Sequence, residues 1–204
     1  MSRPLAALGG ALIPLLVLTL AGASAPPADA PVFRPGDVPC QVTDVDSVVN
    51  RLWLDGRTYL GGQPDVAALG ELARRGVTAV VSLRTDKEMA DSTQVPFDQA
   101  AVLDSLGLAY VHVPLGGSQH PYTPEAVAEV AEALRAHEGS VLLHCRSGGR
   151  ASYVWAAYLS LHEGLTPDEA WRRARESGLG PTAYERLLGV ELRLSPGDPL
   201  PADQ

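Results

Sequence analysis

A chain of 204 residues, 46% hydrophobic and 20% charged, has the composition of one ordinary globular domain with room for a proper core. Its net charge of −8 argues against a nucleic-acid partner, because a phosphate backbone is bound by an excess of Lys and Arg. A small anionic substrate stays open, since two or three local arginines are enough to hold one.

The N-terminus has the pattern of a targeting segment. Arg3 supplies a positive charge, Leu5 to Leu20 form an apolar run, and small residues follow from Ala21 to Ala25. That order of charged head, apolar middle and small-residue cut site is a signal peptide. Cleavage after Ala23 satisfies its rule, and the run is shorter than the roughly 20 residues a spanning helix wants. Residues 1–23 are therefore read as a signal, and the mature protein as exported (periplasmic or secreted), with no stable membrane association. Residues 24–41, rich in Ala and Pro, read as a linker, residues 42–194 as one domain, and residues 195–204 as a tail of linker character.

Within the domain the pattern alternates strands and helices. Arg51 to Leu54 and Thr58 to Leu60 flank Asp55-Gly56, a hairpin signal. Pro64 to Arg75 carries Val66, Leu69, Leu72 and Ala73 at helical spacing and stops at Gly76. Thr78 to Leu83 is a β-branched run of strand length, Phe97 to Leu106 is helical, and Leu108 to Val113 is the next strand. Thr123-Pro124 opens a helix with a hydroxyl cap and a first-turn proline. Val141-Leu142-Leu143 is a short, wholly apolar strand, followed by a helix from about Arg150 to His162. Thr166 to Glu169 is a capping box opening a helix to about Ser177, and Pro181 to Leu194 is the last helix. The alternation predicts an α/β fold: a single, largely parallel sheet flanked by helices. Ligands bind such sheets at the carboxyl ends of strands, which is where Leu143 to Ser152 lies.

The segment His144-Cys145-Arg146-Ser147-Gly148-Gly149-Arg150-Ala151-Ser152 combines features that suit an anion and a nucleophile. A cysteine ends a buried strand and is followed by a glycine-bearing turn and a helix N-terminus. Backbone N–H groups in such a turn converge on an anion, and the helix dipole adds positive potential. Gly148 and Gly149 permit the tight backbone, and Arg146 and Arg150 offer planar forks for a tetrahedral oxyanion. These features favour the thiolate of Cys145, which is the nucleophilic form. His144 and Ser152 are expected to support the loop or the sulfur. The other cysteine, Cys40, leaves two alternatives open: a structural disulfide with Cys145, or a resolving partner that protects it. A resting disulfide would favour a non-catalytic module that binds an anion or a partner.

The loop resembles that of the cysteine-dependent protein tyrosine and dual-specificity phosphatases: His-Cys, two residues, Gly, two residues, Arg, then Ser or Thr. Tyr59 to Pro64, Gly76 to Arg84 and Leu108 to Leu115 are similar to a bacterial branch of that superfamily, the phosphatase-like domain of the beta-lactamase hydrolase-like proteins. The resemblance runs from about Leu52 to Tyr158. It implies a cysteine-phosphatase-like fold, Cys145 as nucleophile, Arg150 holding the phosphoryl group, and a small phosphorylated substrate or phosphoprotein. No cofactor is implied, and the five histidines show no ligand spacing for a metal.

Two features depart from the phosphatase pattern. Four residues separate Cys145 from Arg150 where the motif has five, with Ala151 in the usual arginine position. Cys-Arg-x-Gly-x-Arg is also how many rhodanese-type sulfurtransferases read, so a persulfide carried on Cys145 is the alternative activity. A phosphatase further needs a general acid, usually an Asp on the loop after the Leu108 to Val113 strand. That loop, Pro114 to Thr123, holds no Asp or Glu. His120, Asp86 and Asp91 are the candidates that remain.

Overall fold

The structure is a computed structural model and describes residues 32–34, 36–174 and 181–191. Six strands form one sheet: β1 (Cys40–Val42), β2 (Leu52–Asp55), β3 (Thr58–Gly61), β4 (Val77–Ser82), β5 (Ala109–His112) and β6 (Ser140–His144). Their order is β1-β2-β3-β6-β4-β5. The strands β3, β6, β4 and β5 run parallel, and β2 and β1 add an antiparallel edge. The sheet is thus largely parallel and flanked by helices, as the alternating pattern implies.

Position in the sheet follows composition. All five residues of β6 are buried, which is why its apolar run shows no alternation. Val141 and Leu143 pack on one face with α4 (Pro124–Ala136), α5 (Gly149–His162), α6 (Pro167–Arg173) and α7 (Pro181–Leu188). Leu142 packs on the other face, with Leu69 and Leu72 of α1 (Val66–Arg74) and Leu103 of α3 (Gln99–Ser105). The helix α5 is buried without interruption from Ala151 to Leu159. It lies against β3 and β6 and under α4, α6 and α7, so an apolar stripe on one side would not suffice.

Several elements differ from the sequence reading. Cys40–Val42 forms the edge strand β1 inside the segment read as linker, and Val32 and Phe33 in the same segment are buried. The folded unit therefore begins before residue 42. A helical turn, α2 (Asp86–Met89), occupies what read as a loop. The helix expected to reach Ser177 ends at Arg173, before residues that are not described. Residues 1–23, read from the sequence as a signal, and residues 195–204, read as a tail, lie outside the described residues.

The hairpin residue Asp55 has a second task that its turn signal did not suggest. It is 1% exposed and accepts hydrogen bonds from Trp155 Nε1 at 2.9 Å and from Arg173 Nε and Nη2 at 3.0 and 2.7 Å. Arg173 also lies 4.5 Å from the Phe33 ring centroid, tying the N-terminal segment to α6. Removing one partner of such a pair leaves an uncompensated charge, typically costing about 3–5 kcal/mol. Asp55→Ala is expected to lose stability on that scale in urea unfolding. A loss below about 1 kcal/mol would mean that the ion pair is not a principal tie of α6 to the sheet.

Candidate active site

The loop after β6 is fixed from the side by the end of β3. The Cys145 N–H donates to the Gly61 carbonyl at 3.2 Å, and the Gln63 N–H donates to the Arg146 carbonyl at 3.1 Å. Asn50 Nδ2 adds a bond to the Ser147 carbonyl at 3.0 Å. The backbone at Val49, next to Asn50, passes so close to position 62 that only glycine fits, since a Cβ there would stand 2.2 Å from the Val49 carbonyl oxygen. Gly148 has φ +94° and forms the N-cap of α5, a backbone that side chains resist. Its N–H lies 3.2 Å from Cys145 Sγ and donates to it. Cys145, 1% exposed, thus places its sulfur at the amino end of a buried helix whose first turn carries no acid.

Beneath the loop runs a buried chain of polar side chains. Arg84 Nη1 donates to Gln63 Oε1 at 2.9 Å, Gln63 Nε2 to Gln99 Oε1 at 2.8 Å, and Gln99 Nε2 meets His144 Nε2 at 3.0 Å. Because the Gln99 carbonyl is already taken, its amide must donate to His144, which sets the tautomer with the proton on Nδ1. That nitrogen lies 3.4 Å from the Cys145 carbonyl oxygen. Burial holds the His144 pKa down at about 3, against a weaker opposing effect of the Cys145 carbonyl, so the ring is neutral.

Arg150 is held more firmly than the sequence suggested. Its Nη1 donates to Glu88 Oε2, the Leu83 carbonyl and the Leu115 carbonyl at 2.8, 3.0 and 2.6 Å, and Nη2 donates to Glu88 Oε1 at 2.5 Å. Burial alone would raise the Glu88 pKa, but the Arg150 hydrogen bond and the Thr85 N–H outweigh it and hold the carboxyl at about 2.

A cleft of about 540 Å³ opens beside this pair, with Thr85, Asp86, Glu88, His120, Tyr122 and Arg150 among its walls. Tyr122 and Arg150 both lie within electrostatic reach of Cys145, which is buried next to the cleft. Asp86 stands between two imidazoles, 3.7 Å from His112 Nδ1 and 3.7 Å from His120 Nε2. Asp91 is turned elsewhere, accepting from Thr93 Oγ1 at 2.6 Å and Gln94 Nε2 at 2.5 Å, and does not line the cleft. Arg146 and Ser147 are exposed on the loop, Gly149 is in the first turn of α5, and Ser152 is buried one turn further on.

The Cys40–Cys145 bridge is ruled out by register. Cys40 pairs with Leu54, Leu54 with Tyr59, and Tyr59 with Leu142. Three strand spacings of about 4.8 Å therefore separate Cys40 from β6, and Cys145 lies farther along. A disulfide needs Cα atoms within about 7 Å. The two cysteines serve neither as a structural pair nor as nucleophile and resolving partner within one molecule.

Glu88, Arg84, Gln63 and Gln99 were not singled out from the sequence. Thr85-x-x-Glu88 is a capping-box pattern that marks α2, and both reciprocal bonds of the box are present. The buried contacts of Arg84 and Gln99 have no comparable local signal.

Residues 58–161 match the family described as "Beta-lactamase hydrolase-like protein, phosphatase-like domain". The chain belongs to this family. Two beta-lactamase hydrolase-like proteins of Xylella fastidiosa, from strains Temecula1 and 9a5c, are 35% identical over 103 residues, which is 50% of this chain and 23% of theirs. This chain thus corresponds to about a quarter of those longer relatives. Among solved structures, Tk-PTP in its active form is similar with a TM-score of 0.54 and 26% identity, over 66% of this chain and 90% of its own. Pseudomonas aeruginosa TpbA has a TM-score of 0.53 at 23% identity, over 69% and 84% of the two chains. A Cys-to-Ser form of TpbA in complex with phosphotyrosine has the same TM-score at 20% identity, over 77% and 87%. The fold of this phosphatase-like domain is that of the cysteine phosphatases.

The Glu88–Arg150 pair makes a testable contribution to stability. A carboxyl with a folded pKa near 2 and an ordinary value of 4.5 stabilises the fold above pH 4.5, and that contribution is lost as pH falls toward 2. At about 1.4 kcal/mol per pH unit the full effect is about 3 kcal/mol. Glu88→Gln is expected to be less stable than wild type at pH 7, with the gap narrowing to less than half by about pH 3 in thermal unfolding and closing only as pH falls to about 2. A gap independent of pH would show that lost packing, not the charge, is responsible.

Proposed function

We propose that this phosphatase-like domain is an exported cysteine-dependent phosphatase that hydrolyses phosphate monoesters through a phosphocysteine. The observation that carries this reading is the seat of Cys145 Sγ: at the amino end of α5, 3.2 Å from the Gly148 N–H, beside the fixed guanidinium of Arg150. Export rests on the signal-like N-terminus alone. The complex of TpbA with phosphotyrosine supports a phosphorylated amino acid or a phosphoprotein as the substrate class.

In this reading the Cys145 thiolate attacks phosphorus and an S–P bond forms as the ester P–O bond breaks. Negative charge spreads over the equatorial oxygens, which the loop N–H groups and Arg150 stabilise without having to reorganise. A guanidinium has five N–H donors, so the grip of Glu88 and two carbonyls sets the orientation of Arg150 and leaves an edge for an oxyanion. Water then attacks phosphorus, the S–P bond breaks, and its electron pair returns to sulfur.

Release of phosphate from 4-nitrophenyl phosphate by the reduced mature protein tests the reading. Cys145→Ser is expected to lower kcat by about 10³-fold or more, as removal of an essential nucleophile does, and wild type quenched during turnover should carry phosphate on Cys145. Thiocyanate formation from thiosulfate and cyanide, without phosphate release, would assign the same cysteine to sulfur transfer. The spacing of four residues between Cys145 and Arg150 is the observation that would then have been decisive.

A further inference from the structure

We infer that His120, oriented by Asp86, is the proton donor to the leaving oxygen. The inference rests on the phosphatase reading above and supplies the acid which that reading lacks. It starts from the cleft beside Arg150, where a leaving group bound next to the phosphoryl site must lie. The ionisable groups facing His120 there are Asp86, Lys87 and Glu88 from α2, Tyr122 from the following loop, Arg150 from α5, and His112 of β5 across Asp86.

Geometry removes the competing donors one by one. Glu88 is committed to Arg150 by both oxygens and is ionised far below neutral pH. Asp91 is bonded to Thr93 and Gln94 away from the cleft. Asp86 has an imidazole at 3.7 Å on either side, which places its carboxylate to hold an imidazolium rather than to give up a proton itself. Tyr122 has its hydroxyl pKa pushed above the ordinary phenol value, first by burial, which leaves it a poor acid at neutral pH.

His120 is left, and the chain holds it where an acid must stand. The Gly116 N–H donates to the His120 carbonyl at 2.7 Å, closing a turn in which Gly116 and Gly117 have φ +131° and +72°. The residue before that turn, Leu115, accepts from Arg150 Nη1 at 2.6 Å. The turn carrying His120 and the guanidinium are thus fixed to one another through a single short segment. With Nε2 the ring nitrogen nearer Asp86, 3.7 Å from Oδ2, Nδ1 is the nitrogen assigned to the leaving group.

The step balances as follows. Cys145 Sγ bonds to phosphorus, the ester P–O electron pair passes to the leaving oxygen, and that oxygen takes the Nδ1 proton of the His120 imidazolium. The alcohol departs neutral and His120 is left neutral. In the second half, neutral His120 takes a proton from the water that attacks phosphorus, and the S–P electron pair returns to Cys145. Both histidine forms are regenerated in each cycle.

The test compares kcat/KM, which reports the bond-breaking step, for 4-nitrophenyl phosphate and phenyl phosphate across pH. The former leaves as an acidic phenol and the latter as a weakly acidic one, so only the latter needs the acid. His120→Asn is expected to lower kcat/KM for phenyl phosphate by about 10²-fold and to abolish the basic limb of its pH profile. The 4-nitrophenyl phosphate rate should change by less than about threefold. Asp86→Asn, which removes the neighbouring carboxylate, is expected to lower kcat/KM for phenyl phosphate by a smaller factor than His120→Asn while sparing 4-nitrophenyl phosphate, a substrate selectivity that a general loss of structure would not give. His120 lies in a surface turn with its side chain 27% exposed, and an unchanged thermal midpoint confirms that the variant folds. Equal losses on both substrates, or an intact basic limb in His120→Asn, would overturn the assignment while leaving the phosphatase reading standing. Absence of Cys145-dependent phosphate release from either ester in wild type would instead overturn both.

Discussion

A buried sulfur at the start of a buried helix constrains most of what surrounds it. Cys145 lies just past the end of β6, every residue of which is buried, so a charge there would have to be stabilised by the protein's own dipoles and cations rather than by water. The response is visible in two arginines, Arg84 and Arg150, within reach of one thiol in a chain of net charge −8. They are not equivalent. Arg150 faces a carboxylate, Glu88, whereas buried Arg84 is met by neutral acceptors: Gln63 Oε1, Gln94 Oε1 and the Glu88 carbonyl. Its Nε is buried with no hydrogen-bond partner among the described residues. Burial lowers the Arg84 pKa, with Cys145 and Glu88 acting in the other direction. A guanidinium held by neutral groups keeps its field, and the loop above it is where that field is useful.

The same constraint explains why the site draws on nearly every element of the sheet's carboxyl edge. β3 supplies the backbone that clamps the loop, β4 leads into Arg84 and α2, β5 leads into the turn carrying His120, and β6 ends in the cysteine. Parallel strands deliver all of these to one end, and the buried chain from Arg84 through Gln63 and Gln99 to His144 links three of them below the surface. Such a network is favourable only when each member is satisfied, and the neutral state of His144 is what allows it to accept from Gln99.

Local patterns carried most of the fold. The apolar run of β6, the hydroxyl caps at Thr123 and Thr166, and the period of α1 are all properties of neighbouring residues, and each element stands within a few positions of where its pattern put it. The cysteine loop was legible for the same reason, since cysteine, glycines and arginines lie within six consecutive residues. What escaped was non-local or short. β1 has three residues and a place only because β2 offers an edge, and Val32 and Phe33 are core residues only because Arg173 and its neighbours return to cover them. The Cys40 alternatives failed on strand register, which cysteine counting cannot see.

The position of Arg150 shows how a non-local contact can make a local anomaly viable. With four residues between Cys145 and Arg150, the cation falls in the first turn of α5, where the helix dipole opposes it. No acid in that turn offsets the cost; the offset comes from Glu88, 62 residues earlier in the chain, on a single helical turn that ends in no buried residue of its own. That turn is held by its capping box, in which the same Glu88 carboxylate accepts from the Thr85 N–H at 2.9 Å. One carboxylate therefore shapes α2 and orients the arginine at once. The short loop and the capped turn are two halves of one arrangement, and a shift of either alone would leave a buried charge without its partner.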